Sequence, residues 1–355
     1  MKRFADILKE VSEGRRLTSE EALILFTQAD LIALGRAAQQ QVERRFPEGR
    51  VTFVIDRNIN YTNVCTCKCS FCAFYREIDD PDAYLLSPSE VAQKVEEAVQ
   101  QGATQIMLQG GLHPELSLDY VISMIKAIKD RFKVVVHSFS PPEVHYLAKK
   151  SGLSISQVLE QLAAAGLDSL PGGGAEILVD RVRHLISPNK VSSDQWLEVM
   201  ETAHQMGLYS TATMMMGQIE TLEERVAHLD SIRSLQDRTR GFRAFIPWSY
   251  RPGNTALGGK HATAVEYLKT LAISRLYLDN IENVQGSWVT QGPAVGQLSL
   301  LFGANDLGSI MLEENVVKAA GAEFRLSREE MLHLIRQVGK RPAQRDTAYR
   351  IIREY

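Results

Sequence analysis

Apolar positions along the chain follow two periods. SPSEVAQKVEEAVQQG, SLDYVISMIKAIKDRF, SISQVLEQLAAAG, SSDQWLEVMETAHQMG, TLEERVAHLDSIRSLQDR and ATAVEYLKTLAISRLYL repeat their apolar residues at the spacing of one helix face. Between them lie TQIMLQGG, KVVVHSF, LDSLPGGG, YSTATMMMG and GFRAFIPWS, short and largely apolar runs that read as buried strands. VTFVIDRNINYTNV, rich in β-formers, precedes the series. Residues 1–46 read as helical, with Thr18 or Ser19 as an N-cap and a second helix running from Asp30 to Pro47.

Strand–helix alternation predicts parallel strands joined by helical crossovers. Six to eight such units fit an α/β fold of the TIM-like (β/α) barrel type better than an open sheet. The expected organisation is a helical extension over 1–50, the barrel over 51–310 and a C-terminal helical segment over 311–355. Residues 282–310 either add strands or cap the mouth. Barrel chemistry sits at the C-terminal ends of strands, and unusual residues recur there. Gln109-Gly110-Gly111, His137, the Gly172–Gly174 run before Glu176, and the turn holding Glu220 all follow predicted strands.

Composition narrows the function. The chain has 355 residues, 45% hydrophobic and 23% charged, with 40 Lys+Arg against 43 Asp+Glu. That is a globular composition, and a net charge of −3 argues against a nucleic-acid partner held by counterion release. No stretch approaches the about 20 apolar residues of a membrane span. The opening MKRFADILKEVSEGRR lacks a signal-peptide apolar core, so a cytoplasmic location is expected.

All four cysteines, Cys65, Cys67, Cys69 and Cys72, lie in one short stretch. A disulfide scaffold needs cysteines spread along the chain, so the cluster points to a metal or redox site. Cys65, Cys69 and Cys72 form C-x3-C-x2-C. Three thiolates on one loop can hold three corners of a [4Fe–4S] cube and leave one iron open, where ferredoxins use four cysteines. That open iron can chelate S-adenosylmethionine, whose radical chemistry belongs to the cofactor. Two other readings stay open at this point: a zinc site, which usually pairs two short Cys pairs across a spacer, and a Cys69–Cys72 redox pair. Cys67 reads as a bystander. Phe71, just before Cys72, offers an aromatic face for an adenine.

The C-x3-C-x-aromatic-C spacing resembles the signature of the radical S-adenosylmethionine superfamily. NYTNVCTCKCSFCAFYR, QGGLHPEL, HSFSPPE, LPGGGAEIL, MMMGQIET and FIPWSYRPGNTAL resemble its branch of futalosine-pathway menaquinone enzymes and a deazaflavin-cofactor synthase. The SWVTQGP…LLFGANDLGS…EENVV block is most similar to the cyclic dehypoxanthine futalosine synthases of that branch. Cys67 is a departure from the expected pattern.

The resemblance implies a [4Fe–4S] cluster, S-adenosylmethionine, an external reductant such as flavodoxin or ferredoxin, and dehypoxanthine futalosine as substrate. It implies that a radical takes the ribose C4′ hydrogen, that the sugar radical attacks the benzoate ring, and that loss of an electron and a proton restores aromaticity. Gln109, Gly110 and Gly111 then stand where superfamily members grip the methionyl amino group, and Glu176 where ribose hydroxyls bind. His137 or Glu220 is the expected proton acceptor. Arg251 is the expected partner of the benzoate carboxylate, and Asn305 of the substrate sugar. Rival readings are aminofutalosine synthase, the deazaflavin synthase, and a zinc-stabilised binding module.

Overall fold

The computed structural model describes residues 3–355; Met1 and Lys2, which open the segment expected to be helical, lie outside the described residues. Eleven strands are present among them: β1 (Arg50–Val54), β2 (Asp56–Ile59), β3 (Gln105–Leu108), β4 (Val135–Val136), β5 (Ser169–Leu170), β6 (Tyr209–Met216), β7 (Phe242–Ser249), β8 (Asn283–Val284), β9 (Asp306–Ser309), β10 (Arg341–Arg345) and β11 (Ile351–Glu354).

β2, β3 and β4 pair in parallel, as do β5, β6, β7 and β8. Parallel bridges His137–Ser169 and Gln285–Asp306 join these two groups and β9 into one series. The series closes because β9 runs parallel to β1, Thr52 opposite Asp306. Ile310 and Leu312 then donate backbone N–H bonds to Val54 and Asp56, both at 3.1 Å. β1 and β2 act as one strand bent at Ile55, so the barrel has eight strand positions. Residues 282–310 therefore contribute strands, β8 and β9, as well as two short helices, Trp288–Gln291 and Pro293–Ser299.

Helix starts are set by local sequence. Helix Pro88–Gln100 opens on a reciprocal capping box, with Ser87 Oγ accepting from Glu90 N–H and Glu90 accepting from Ser87 N–H at 2.7 Å. It buries Val91, Ala92, Val95 and Ala98 on one face. Each such valine contributes about 1.5–3 kcal/mol, and a charge at Val95 would expel the helix from the sheet. Helices Ile155–Ala165, Ser193–Gln205 and Leu222–Thr239 open on the same device. Fixed helix starts keep the residues of the strand-to-helix loops at one end of the barrel.

Helix Phe4–Ser12 packs on helices Ser19–Gln28 and Leu31–Arg45, which cover the outside of helix Ala264–Tyr277. That helix is consequently buried on nearly every side, from Tyr267 through Tyr277. Arg275 within it stays buried because its guanidinium donates to Gly303 O at 2.8 Å and to Glu282 O at 2.7 Å.

The C-terminal segment departs from expectation. It holds helix Arg328–Gln337, as expected, but then forms β10 and β11. β10 runs parallel to β1, and β11 pairs antiparallel with β10. RPAQR is polar and short, with no period of its own to mark a strand. The free edge of β1, exposed where the bent first strand leaves β3 behind, supplies the pairing partner. Arg345 and Thr347 thereby reach the barrel interior.

Burial holds three imidazoles neutral: His137 and His228 are driven down to about 3 and His204 to about 4, from an ordinary 6.5. An unfolded chain binds the protons that these rings refuse, so their contribution to stability is complete above about pH 6.5 and is lost as pH falls below it. His228→Asn, which keeps an acceptor for Leu178 N–H, is expected to lessen the fall in urea midpoint between pH 7.5 and 5.5. Equal falls in variant and parent would refute the neutral assignment.

Candidate active site

A cavity of about 400 Å³ opens at the C-terminal ends of the strands and reaches down into the barrel. The four cysteines line one wall. Their loop leaves the first strand and is stitched to its neighbours through the backbone. Cys65 N–H donates to Arg76 O at 3.1 Å, Thr66 N–H to Leu112 O at 3.1 Å and Ser70 N–H to Ile186 O at 2.8 Å. Lys68 sits in the loop at φ +47, in the left-handed region that a side chain adopts only when its surroundings enforce it.

The four thiols are free and differ in role. Cys65 Sγ accepts from Leu112 N–H at 3.3 Å. Cys67 Sγ instead donates to the Asn189 carbonyl at 3.6 Å, and Asn189 Nδ2 donates back to Cys67 O at 3.5 Å. The Cys67 S–H pulls the Cys65 thiol down to about 6 and lowers Cys69 as well, while Cys67 itself is pushed up. Burial pushes Cys72 up to about 11. Among the described residues no three His, Cys, Asp or Glu side chains stand as a ready-made cage for a single ion. The donor set nevertheless suits an iron–sulfur cluster, whose irons are spread apart and need one soft thiolate each.

Gln109, Gly110 and Gly111 face the thiols from the exit of β3. A Cβ at Gly111 would lie 2.2 Å from Val64 O, and one at Gly110 2.6 Å from the Tyr61 ring, so both positions exclude any side chain. Gly110 N–H donates to Glu143 Oε1 at 3.1 Å, and Tyr61 Oη donates to the same oxygen at 2.8 Å. Glu143 Oε2 takes Ser140 N–H at 2.7 Å. Glu143 thus ties two loops and the first strand together. Sequence reading missed it, although Ser140-Pro-Pro-Glu143 has capping-box spacing.

Glu176 and Phe71 lie on the same wall. Glu176 has φ +40, and its Oε1 pairs with Lys190 Nζ at 3.0 Å. Its buried Oε2 has no hydrogen-bond partner. Lys190 keeps its charge against burial because Glu176 and the Cys69 and Cys67 sulfurs surround it, and its Nζ lies 5.4 Å from the Phe71 ring centre. Lys190 was not expected from sequence, where a lone lysine carries no signal. His137 also lines the cavity, its Nδ1 2.7 Å from Ser169 Oγ.

Three expected site residues are not part of the cavity wall. Glu220 accepts from Gly217 N–H at 2.6 Å, Gln218 N–H at 2.8 Å and Arg225 Nε at 2.8 Å, which makes it the brace of its own turn. Arg251 donates to Thr290 O at 3.2 Å and stands over Phe324. Asn305 is buried, accepting from Arg275 and Val284 N–H and donating to Asn283. Glu220 and Asn305 have their polar atoms drawn to nearby backbone or charged groups, and Arg251 makes one such bond with its Nε left without a hydrogen-bond partner; sequence spacing does not reveal these outcomes.

Residues 59–232 match the model of the Radical SAM superfamily, and residues 239–354 the CofH/MqnC C-terminal region. The chain is 49% identical to the cyclic dehypoxanthine futalosine synthase of Streptomyces coelicolor, over 97% of this chain and 87% of that one. It is 46% identical to the synthase of the same name from Halalkalibacterium halodurans, over 98% and 95%. In fold it is similar to the crystal structure of methylornithine synthase, with TM-score 0.75 and 18% identity over 95% of this chain and 97% of that one.

The hydrogen-bond pattern separates the thiols. After anaerobic reconstitution, Cys67→Ala is expected to retain iron and sulfide at the parent level, and Cys69→Ala to lose most of both. Iron analysis showing the reverse would move the ligand set to Cys67.

Proposed function

The chain belongs to the radical S-adenosylmethionine superfamily, in the branch that carries the CofH/MqnC C-terminal region, and from that premise we propose that it converts dehypoxanthine futalosine into cyclic dehypoxanthine futalosine. Identity along nearly the whole chain with two synthases of that name carries the reading, because it spans both the barrel and the C-terminal strands that reach into it. The family implies a [4Fe–4S] cluster and S-adenosylmethionine.

When bound, this pair supplies a 5′-deoxyadenosyl radical through one-electron cleavage of the sulfonium. Cys65, Cys69 and Cys72 would hold three of the irons and leave the fourth for S-adenosylmethionine. Cys67, whose sulfur lies between those of Cys65 and Cys69 and 3.6 Å from Asn189 O, would stay outside the ligand set. Gln109, Gly110 and Gly111 line the cavity at the exit of β3, where they would meet the methionyl amino group. Glu176, with one oxygen fixed by Lys190 and the other making no hydrogen bond 3.7 Å from the Arg183 guanidinium, would take ribose hydroxyls. Phe71 offers its ring to the adenine.

The substrate loses the C4′ hydrogen, forms a bond from C4′ to the benzoate ring, and gives up one electron and one proton. The barrel wall keeps this radical chemistry away from water, with Met107, Ile246 and Trp248 among its apolar lining. His137 lines the cavity, but burial drives its ring down to about 3, too weak a base to hold the released proton. No helix among the described residues is long and apolar enough to cross a membrane. A cluster held by free thiols suits a reducing cytoplasm and a small electron-transfer protein such as flavodoxin or ferredoxin as reductant.

Incubated anaerobically with dehypoxanthine futalosine, S-adenosylmethionine and reductant, the reconstituted enzyme is expected to give a product lighter by two hydrogens together with 5′-deoxyadenosine. An adenosyl adduct of the substrate in place of 5′-deoxyadenosine would assign it to the aminofutalosine synthase reaction instead.

A further inference from the structure

Below the cysteine loop the cavity is lined by a polar ladder that the cofactor assignments leave unused. Asp56 and Asn58 sit two apart on β2, so both side chains project to the barrel interior. Both are more than nine-tenths buried. Asp56 Oδ1 and Asn58 Oδ1 have no hydrogen-bond partner. A buried acceptor left unpaired costs about 1–3 kcal/mol, so two of them along one cavity wall point to a ligand that donates.

The surroundings show that Asp56 is held in place. Its Oδ2 accepts from Gln105 Nε2 at 2.7 Å, and Gln105 Oε1 in turn accepts from Thr347 Oγ1 at 2.7 Å. Thr347 comes from the C-terminal segment just beyond β10, so the hairpin that plugs the barrel foot also orients the carboxyl. Nearby, Arg345 is engaged twice by Asp306, Nε to Oδ2 at 2.5 Å and Nη2 to Oδ1 at 3.1 Å. Among the described residues Arg345 is the only guanidinium lining this cavity, and its charge is therefore already answered. A second carboxylate entering here would face Asp56 with no free cation.

We propose that Asp56 and Asn58 form the subsite for the sugar hydroxyls of the substrate, and that the benzoate carboxylate is directed away from this end of the cavity. The assignment rests on the reaction proposed above. Burial makes the Asp56 carboxyl hold its proton more readily than an ordinary aspartate; a hydroxyl both donates and accepts, so it pairs with either form, whereas an isolated carboxylate does not.

Binding of dehypoxanthine futalosine and of its 2′-deoxy and 3′-deoxy forms to the anaerobic holoenzyme, measured by calorimetry, tests the subsite. In the parent, removing the contacted hydroxyl is expected to weaken binding by about 10- to 100-fold. In Asp56→Ala the full substrate is expected to bind as weakly as that deoxy form, with no further loss between the two. Asn58→Ala, measured alongside, gives the same comparison if Asp56→Ala does not fold. S-adenosylmethionine affinity and iron content are expected to stay at parent values in both variants. Undiminished discrimination between substrate and deoxy forms in both variants would overturn the subsite while leaving the reaction intact. A parent enzyme that neither binds nor converts dehypoxanthine futalosine would overturn the reaction and the subsite together.

Discussion

The strand from Arg50 to Ile59 must serve neighbours on both edges, and its bend at Ile55 is what lets it do so. Its lower half lies between β9 and β10, and its upper half pairs with β3 and with the backbone of residues 310–312. Closure through this one strand turns a series of βα units into a barrel. It places every strand exit around a single opening and puts the cysteine loop directly on the closing strand. A slip of one residue in its register would turn Asp56 and Asn58 out of the interior, and with them the start of the loop that carries the thiols.

Charge inside the barrel is handled by local pairing. Lys190 answers Glu176 at the mouth, and Arg345 answers Asp306 at the foot. Buried pairs of this kind add little net stability, but removing one partner is costly. Their value lies in position: each fixes a carboxylate or a cation against the cavity without leaving an uncompensated charge there. Acceptors without a hydrogen bond, at Glu176 near the mouth and at Asp56 and Asn58 deeper in, line the same cavity. Strained backbone gathers in the same region. Lys68, Phe139 and Glu176, all in the left-handed region, lie on three of the loops around the opening.

Much of this was legible in the chain itself. Apolar periodicity marks the helices, and their capping residues set where each begins. Cysteine spacing singles out the loop, and glycines after β3 and β5 mark where backbone must come close. His137 and Glu176 follow predicted strands and line the cavity, whereas Glu220, at another strand exit, turns to its own loop. Asp56 and Asn58 also left a trace, the polar run Asp56-Arg57-Asn58 between Ile55 and Ile59 in a β-rich segment.

Sequence alone determined the strand–helix order, the end of the barrel that carries chemistry and the cysteine loop, because these follow from local periodicity and short spacing. Tertiary structure decided the rest. It turned Glu220, Arg251 and Asn305 toward neighbours that local spacing cannot reveal, brought Lys190 beside Glu176, and drew RPAQR against the open edge of β1. Those outcomes depend on contacts between distant segments, where a polar side chain takes whichever partner the closed barrel brings within reach.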